Sequence, residues 1–265
     1  MRDVRLQEME KVIRENGNLS MEELCRRFDV SMHTVRRDVA ELEKRGVVEK
    51  VYGGVSASDR TNRILPAFQE RFEMNAEAKR ACCQAAAGMI RDHDVIFVDS
   101  GTTCSSLLEF IDDAISITVV THNLQLIQSA VQHDNVQLIL LPGQLRRKTL
   151  SLTGVETVSS LKQYNIQKAF MATTGSTERT VTNSFPNEFE IKQAVMAMVP
   201  EKILLMTSEK FGHPGLMNYA SFSEFQTVIT DRLPEEPYLS SLRESGVRLL
   251  VAGEREHETR DDQIG

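Results

Sequence analysis

The 265-residue sequence contains no apolar run approaching the roughly 18 residues of a membrane-spanning helix. Its start, Met1-Arg2-Asp3-Val4-Arg5, lacks the apolar stretch of a secretory signal. Four cysteines, Cys25, Cys82, Cys83 and Cys104, show no CxxC spacing. Two are adjacent, which disfavours a disulfide between them, and the set reads as reduced thiols. The six histidines and four cysteines have no metal-ligand spacing, so neither a metal nor a cofactor is expected. Basic charge is not in excess: 31 Lys and Arg stand against 38 Asp and Glu, a net of -7. That excludes a wholly basic nucleic-acid coat but leaves room for a local basic surface. No repeat of roughly 20–50 residues and no low-complexity tract occurs. The expectation is a soluble, cytoplasmic protein with no membrane partner.

What is present is ordinary globular composition, 41% hydrophobic and 26% charged. Charge divides the chain. Residues 1–54 carry 11 basic and 11 acidic side chains, and the remainder carries 20 against 27. Between Ser56 and Arg63 the chain is polar and aperiodic, as in a linker. The expected organisation is a small domain over 1–57, a linker over 58–74, a larger domain over 75–255 and a polar tail over 256–265.

In the first domain, Leu6, Met9, Val12 and Ile13 recur at helical spacing up to Asn16-Gly17. Ser20-Met21-Glu22-Glu23 is a capping-box pattern that opens a second helix ending near Phe28. After Asp29-Val30, Ser31 can cap a third helix whose buried face is Val35, Val39 and Leu42 and whose end is Gly46. Two helices joined this tightly describe a helix-turn-helix. The β-prone stretch Val47–Val51 and a turn at Tyr52-Gly53-Gly54-Val55 add a wing. Ser31, Met32, His33 and Thr34 begin the helix that would enter a major groove. Arg36 and Arg37 reach guanine edges or phosphates, and Lys44, Arg45 and Lys50 add phosphate contacts. Adjacent arginines alone usually form a solvated face; here their place after a capped helix pair favours DNA. Asp38 would repel DNA unless it pairs with a nearby arginine.

The larger domain reads as α/β. A helix is expected from about Asn75 to Ile90, followed by the apolar run Val95–Val98 of a buried parallel strand. Further strands are expected at Ile117–Val120, Val136–Leu141, Ala169–Ala172, Ile203–Met206, Val228–Thr230 and Val247–Val251, in a largely parallel sheet. Asp99-Ser100-Gly101-Thr102-Thr103 follows the first strand and is expected to lead into a helix. Gly101 would let a ligand approach, Ser100, Thr102 and Thr103 offer hydroxyls, and free helix amides favour a phosphate. Asp99 could accept from sugar hydroxyls; a capped turn without ligand is equally compatible. His122 and Asn123 follow the second strand, His122 as a ligand contact or a cap. Arg146-Arg147-Lys148 is a basic run that would be part of a phosphate clamp or a solvated loop, and Lys210 is a further cation. Glu190 and Lys192, two apart on one helix, do not share a face. Cys104 reads as buried and inert.

Leu24 to Gly46, with Val30-Ser31, Thr34-x-Arg36-Arg37-Asp38, Leu42-Glu43 and the wing Gly53-Gly54, resembles the DeoR family of bacterial transcription regulators. The larger domain is similar to that family's sensor domain at Asp99–Thr103, Val120-Thr121-His122-Asn123, Gly154, Glu190-x-Lys192, Lys210-Phe211-Gly212 and Ile229-Thr230-Asp231. It departs from the family pattern at His122, at Pro142-Gly143 and at Thr207. The resemblance implies a winged helix-turn-helix joined to a Rossmann-like, sugar-phosphate-isomerase-like α/β sensor domain. It implies ligand contacts from Asp99, Ser100, Gly101, Thr102, Thr103 and Lys210.

The expected function is a repressor of carbohydrate-metabolism genes that binds double-stranded operator DNA under the control of a phosphorylated sugar. Paired half-sites require a homo-oligomer, dimer or tetramer. The competing reading is a sugar-phosphate isomerase with a DNA-binding appendage. Asp99, Glu188 and Glu190 are available as bases, but no acid–base set emerges from their spacing, and no enzyme activity is expected.

Overall fold

The structure, a computed structural model, describes residues 2–16, 18–44, 48–51, 54–57 and 67–253. The chain forms two compact units, Met1–Ile64 and Leu65–Gly265.

The first unit consists of α1 (Arg2–Asn16), β1 (Asn18–Ser20), α2 (Met21–Phe28), α3 (Met32–Lys44), β2 (Val48–Val51) and β3 (Gly54–Ala57). Leu6, Met9 and Ile13 of α1 pack with Leu24 of α2 and with Val35, Val39 and Leu42 of α3. The capping box forms as its sequence dictates: the Glu23 amide donates to Ser20 Oγ at 3.1 Å, and Glu23 returns a carboxylate oxygen to the Ser20 amide. Asp29, left-handed at φ 48°, ends α2. Ser31 Oγ then accepts the Thr34 amide and starts α3. Asp38 is fully buried and bridges to Arg5 at 2.7 Å, fastening α3 to α1.

The wing differs from the expected hairpin turn. Gly54 and Val55 open β3 rather than forming a turn, and Ser56 and Ala57, expected as linker, continue it. Tyr52 and Gly53 lie outside the described residues. The sheet order is β1-β3-β2, antiparallel throughout. Three-residue β1, with Leu19 as its only apolar side chain, is too short to show a strand period. A Cβ on Gly54 would stand 2.4 Å from the Leu19 carbonyl oxygen, so glycine is required by backbone approach. Gly54→Ala is expected to destabilise this unit by about 1–3 kcal/mol, read as a lower urea midpoint; an unchanged midpoint would contradict the packing.

The second unit contains α4 (Phe68–Glu73), α5 (Ala76–Ala87), β4 (Val95–Val98), β5 (Ile117–Thr121), α6 (Gln125–Ala130), β6 (Val136–Leu140), β7 (Gln144–Arg146) and β8 (Ser151–Thr153). It continues with α7 (Val155–Leu161), β9 (Lys168–Ala172), β10 (Gly175–Ser176), β11 (Thr180–Asn183), α8 (Pro186–Met198) and β12 (Glu201–Leu205). β13 (Met217–Ser221), β14 (Thr227–Thr230), α9 (Tyr238–Glu244) and β15 (Arg248–Val251) complete it. Seven strands form one parallel sheet in the order β15-β14-β12-β9-β4-β5-β6. All seven coincide with the apolar runs of the sequence to within two residues at either end. Both faces are covered, as parallel sheets require. Phe97, Ala169, Met171 and Leu204 enter one core, while Ile96, Val98, Phe170 and Ile203 enter the other.

The expected linker to residue 74 is too long. α4 occupies 68–73, with Phe68 buried and stacked on Phe72 at 6.0 Å. Residues 256–265, expected as a tail, lie outside the described residues. The expected helix after Thr103 is absent as well: turns run to a single 3₁₀ turn, Leu107–Phe110. Here Ser105 Oγ donates to the Gly101 carbonyl and Cys104 Sγ to the Phe170 carbonyl, giving the segment local alternatives to a helical ladder.

Candidate functional site

Chain order runs outward from β4 through β5 to β6, then restarts beside β4 with β9 and runs the other way through β12, β14 and β15. The reversal lies between β4 and β9. Crevices at the carboxyl ends of strands on either side of such a reversal are where open α/β sheets hold ligands. The segments expected to bind a ligand emerge there: Asp99–Thr103 from β4, His122-Asn123 from β5 and, farther along, Ser208–Lys210 after β12.

Asp99 is fully buried and is used by the protein itself. Oδ1 accepts from the Ser100 amide (2.9 Å) and faces His122 Nε2 (3.4 Å), and Oδ2 accepts from the Ala172 amide (2.9 Å) and from Lys192 Nζ. These four groups occupy the acceptor capacity of a carboxylate. Burial alone would push the Asp99 carboxyl up; Lys192, with His122, holds it well below the usual carboxylate range. Asp99 is therefore an organising hub, not the free acceptor for sugar hydroxyls that the sequence suggested. His122 and Asn123 are likewise fully buried. His122 stacks on Phe97 and sets Nδ1 3.0 Å from the Leu152 carbonyl oxygen. Asn123 donates to the Asp99 carbonyl and Ser105 Oγ and accepts from the Gln125 amide. Both brace the loop from behind.

The rest of the loop is arranged otherwise. Ser100 Oγ donates to Glu188. Thr103 Oγ1 accepts from Lys210 Nζ at 2.8 Å, so the expected cation does reach the loop. Gly101 packs against Ala172, which a Cβ would strike at 2.1 Å. Thr102 is nearly buried. Burial depresses Lys210, offset in part by Glu209. Burial, together with nearby Lys210, lowers Lys79 of α5 to about 8. Arg71 is also lowered by burial, against the pull of Glu188. Three cations thus share a partly desolvated corner beside the loop. Arg146 is exposed on β7, with Nε donating to Thr153 Oγ1 at 3.0 Å, and Lys148 lies over Phe185. Cys104 is buried and its thiol is pushed well up by burial and by Asp99, in keeping with an inert role.

In the first unit, α3 shows two stripes. Val35, Asp38, Val39 and Leu42 face inward; His33, Arg36, Arg37 and Ala40 are exposed at the complementary helical spacing. Asp38 thus points away from the stripe that could meet DNA. Ser31 is exposed, Met32 and Thr34 half-buried, and Ser31 Oγ and Thr34 Oγ1 are hydrogen-bonded at 3.0 Å. Gly54 is buried in β3. Lys50 lies in β2, but its side chain, like Tyr52, Gly53 and Arg45, lies outside the described residues.

Residues 5–61 match the DeoR-like helix-turn-helix domain, and residues 74–232 match the DeoR C terminal sensor domain. The chain belongs to the DeoR family. It is a DNA-binding transcription regulator with a C-terminal α/β sensor domain. This DeoR-family chain is 37% identical over 253 residues to the HTH-type transcriptional regulator IolR of Bacillus subtilis, covering 95% of this chain and all of that one. It is 30% identical over 229 residues to a lactose phosphotransferase system repressor of Staphylococcus epidermidis, covering 86% and 91%. Among solved structures, ribose 5-phosphate isomerase a from Methanocaldococcus jannaschii aligns at a TM-score of 0.38 with 15% identity, over 52% of this chain and 55% of that one. Among the described residues no helix is long and apolar enough to cross a membrane.

In this DeoR-family chain the sequence pairs Lys192 with Glu190 on one helix without giving it a role in the site, and it gives none to Lys79 or Arg71. Lys192 carried a signal: with Glu188 it forms an i, i+4 pair inside the apolar face made by Ile191, Val195 and Met196. Charged residues in such a stripe are buried only when paired. Lys79 and Arg71 carried none, because their convergence on Lys210 depends on how α4 and α5 pack.

Proposed function

We propose that the protein represses carbohydrate-metabolism genes and that a phosphorylated sugar, held at the carboxyl end of the parallel sheet, sets its affinity for operator DNA. The carrying observation is that Lys210 reaches Thr103 of the loop with Lys79 and Arg71 close by: burial depresses all three cations, and repulsion by neighbouring cations depresses Lys79 and Lys210 further. A phosphate would relieve both costs, and the hydroxyl-rich loop offers it neutral donors. The names of relatives, a phosphotransferase-system repressor among them, favour carbohydrate control. His33, Arg36 and Arg37 enter the major groove, while the wing residues Lys50, Tyr52 and Gly53 contact the backbone. The active form is a cytoplasmic homo-oligomer, dimer or tetramer, because one recognition helix discriminates weakly. Asp99, the carboxylate best placed at the switch point, is committed to four internal partners and is not free to act as a base on a bound sugar.

The test is operator binding by the full chain, with DNA upstream of its own gene, against a panel of sugar phosphates. One of them is expected to shift the binding midpoint, and Lys210→Met is expected to remove that shift while leaving DNA binding intact. Shifts retained by Lys210→Met would overturn the site, and conversion of a sugar phosphate would establish the enzyme reading.

A pH dependence follows. Phosphate ionisation is essentially complete above about pH 7, whereas Lys79 titrates near 8 in the free protein. A bound anion raises that value, so binding takes up a proton. Ligand affinity is expected to fall as pH rises through 8, by at most about tenfold per unit for this group. Calorimetry in buffers of differing ionisation enthalpy measures the uptake, and Lys79→Met should abolish the part centred near pH 8.

A further inference from the structure

We propose that Glu188 determines the specificity of the sensor site: it takes a ligand hydroxyl and forces the anionic group to the other end of the loop. The inference rests on the sugar-phosphate reading above and adds orientation and selection to it.

Two carboxylates are buried behind the loop that leaves β4. Asp99 is saturated by its four partners. Glu188, only 5% exposed, is engaged differently. Its Oε1 accepts from Ser100 Oγ at 2.9 Å and from Ser151 Oγ at 2.8 Å. Its Oε2 has no hydrogen-bond partner among the described residues. A carboxylate offers about four lone-pair positions, so acceptor capacity remains on this largely buried side chain.

Spare acceptor capacity on a buried anion selects its guest. A hydroxyl can donate to it. The phosphate-ester dianion of a sugar phosphate has no proton to give and is repelled. Three residues along the same loop the charge reverses, where Lys210 Nζ donates to Thr103 Oγ1. Lys79 lies close enough to Lys210 for that ammonium group to depress its ionisation. From Ser100 to Thr103 the loop is therefore polarised, the Glu188 carboxylate behind one end and ammonium groups at the other, with Arg71 in the field of both. A molecule with hydroxyls at one end and a phosphate at the other satisfies both. Inorganic phosphate carries its hydroxyl on the charged group itself, so it cannot set a hydroxyl at Glu188 apart from the anion at the cationic end. Glu188 also ties the loop to the hairpin, since Ser151 begins β8 and bonds Thr149 Oγ1 at 2.7 Å. A hydroxyl arriving at Glu188 thus acts on the segment that carries Arg146 to Lys148.

The experiment is calorimetric titration of the full chain and of Glu188→Gln with inorganic phosphate and with a set of pentose and hexose phosphates. Wild type is expected to bind at least one sugar phosphate more tightly than inorganic phosphate. In Glu188→Gln that ratio is expected to fall at least tenfold, with inorganic phosphate bound equally or more tightly. A ratio unchanged in a variant that melts like wild type, or equal weakening of both ligands, would overturn the assignment and leave the sensor reading standing. Absence of any phosphate binding by wild type would sink both. Should the glutamine variant fail to fold, Glu188→Asp repeats the test with the charge kept and the carboxylate drawn back by one methylene. Sugar phosphate should then weaken while inorganic phosphate does not, and equal effects on the two would count against Glu188.

Discussion

Arg36→Ala combined with Arg37→Ala is expected to lower operator affinity by about 100-fold or more, since each guanidinium contact to a base or phosphate contributes about 1–3 kcal/mol. Both side chains are exposed on α3, with Val35, Asp38, Val39 and Leu42 turned to the core between and around them. Their removal takes away contact with DNA without opening a cavity, so the melting curve of the first unit should not move. The single variants separate two roles. An arginine that reads a base edge loses discrimination between operator and random DNA, whereas one that holds a phosphate weakens both and lowers the salt slope by about one. Fluorescence anisotropy on operator and scrambled duplexes at several salt concentrations distinguishes them. Unimpaired operator binding by the double variant would place the reading face elsewhere on the molecule.

The second large effect belongs to the sensor domain and concerns stability. Lys192→Met is expected to destabilise that domain by about 3–5 kcal/mol, the cost of leaving a buried charge without its partner. Lys192 Nζ donates to Asp99 Oδ2 and to the Ala172 carbonyl, and it lies over the Tyr219 ring at 4.9 Å. Without it, Asp99 keeps only neutral donors and the weak approach of His122. The sign of the pH dependence is fixed by Asp99. Its folded carboxyl lies below the unfolded value, so its stabilisation is complete above the ordinary carboxylate range and is lost as pH falls through and below it. In Lys192→Met the folded carboxyl moves upward, so the gap between variant and wild type should narrow in acid. Adding Asp99→Asn removes the orphaned charge and should recover part of the loss. Urea unfolding at pH 7 and pH 4 measures all three; a Lys192→Met midpoint equal to wild type at pH 7 would show that the pair contributes nothing.

The fold and the site are written in the sequence to different depths. The seven parallel strands were legible because each is buried on both faces and therefore written as a short apolar run, such as Val95–Val98 or Ile203–Leu205. The capping box at Ser20 and Glu23 was legible because it is local chemistry. The hairpin of β7 and β8 was not, because Gln144–Arg146 is exposed and three residues long, with Leu145 its one apolar side chain. The small sheet β10-β11-β13 rests on hydroxyls such as Thr173 and Thr182, which carry no strand period. At the site, the Asp99–Thr103 segment announced itself through glycine and hydroxyls after a strand. What it could not reveal was the division of labour behind it: Asp99 and Asn123 spent on holding the loop, and Glu188 and Lys192 arriving from a helix some 90 residues away in sequence. Those partnerships are set by packing between β4, β9 and α8, and no window of sequence contains all three.

The central claim is that one site reads a sugar phosphate and the other reads DNA, with a free energy coupling them. Such coupling is reciprocal: a ligand that changes operator affinity by some factor must have its own affinity changed by the same factor when operator is bound. The direct measurement is calorimetric titration of the active sugar phosphate into free protein and into the protein–operator complex. The account predicts two dissociation constants whose ratio equals the shift in operator affinity, of order tenfold or more. Equal constants in the two titrations, with the protein saturated by operator throughout, would contradict it.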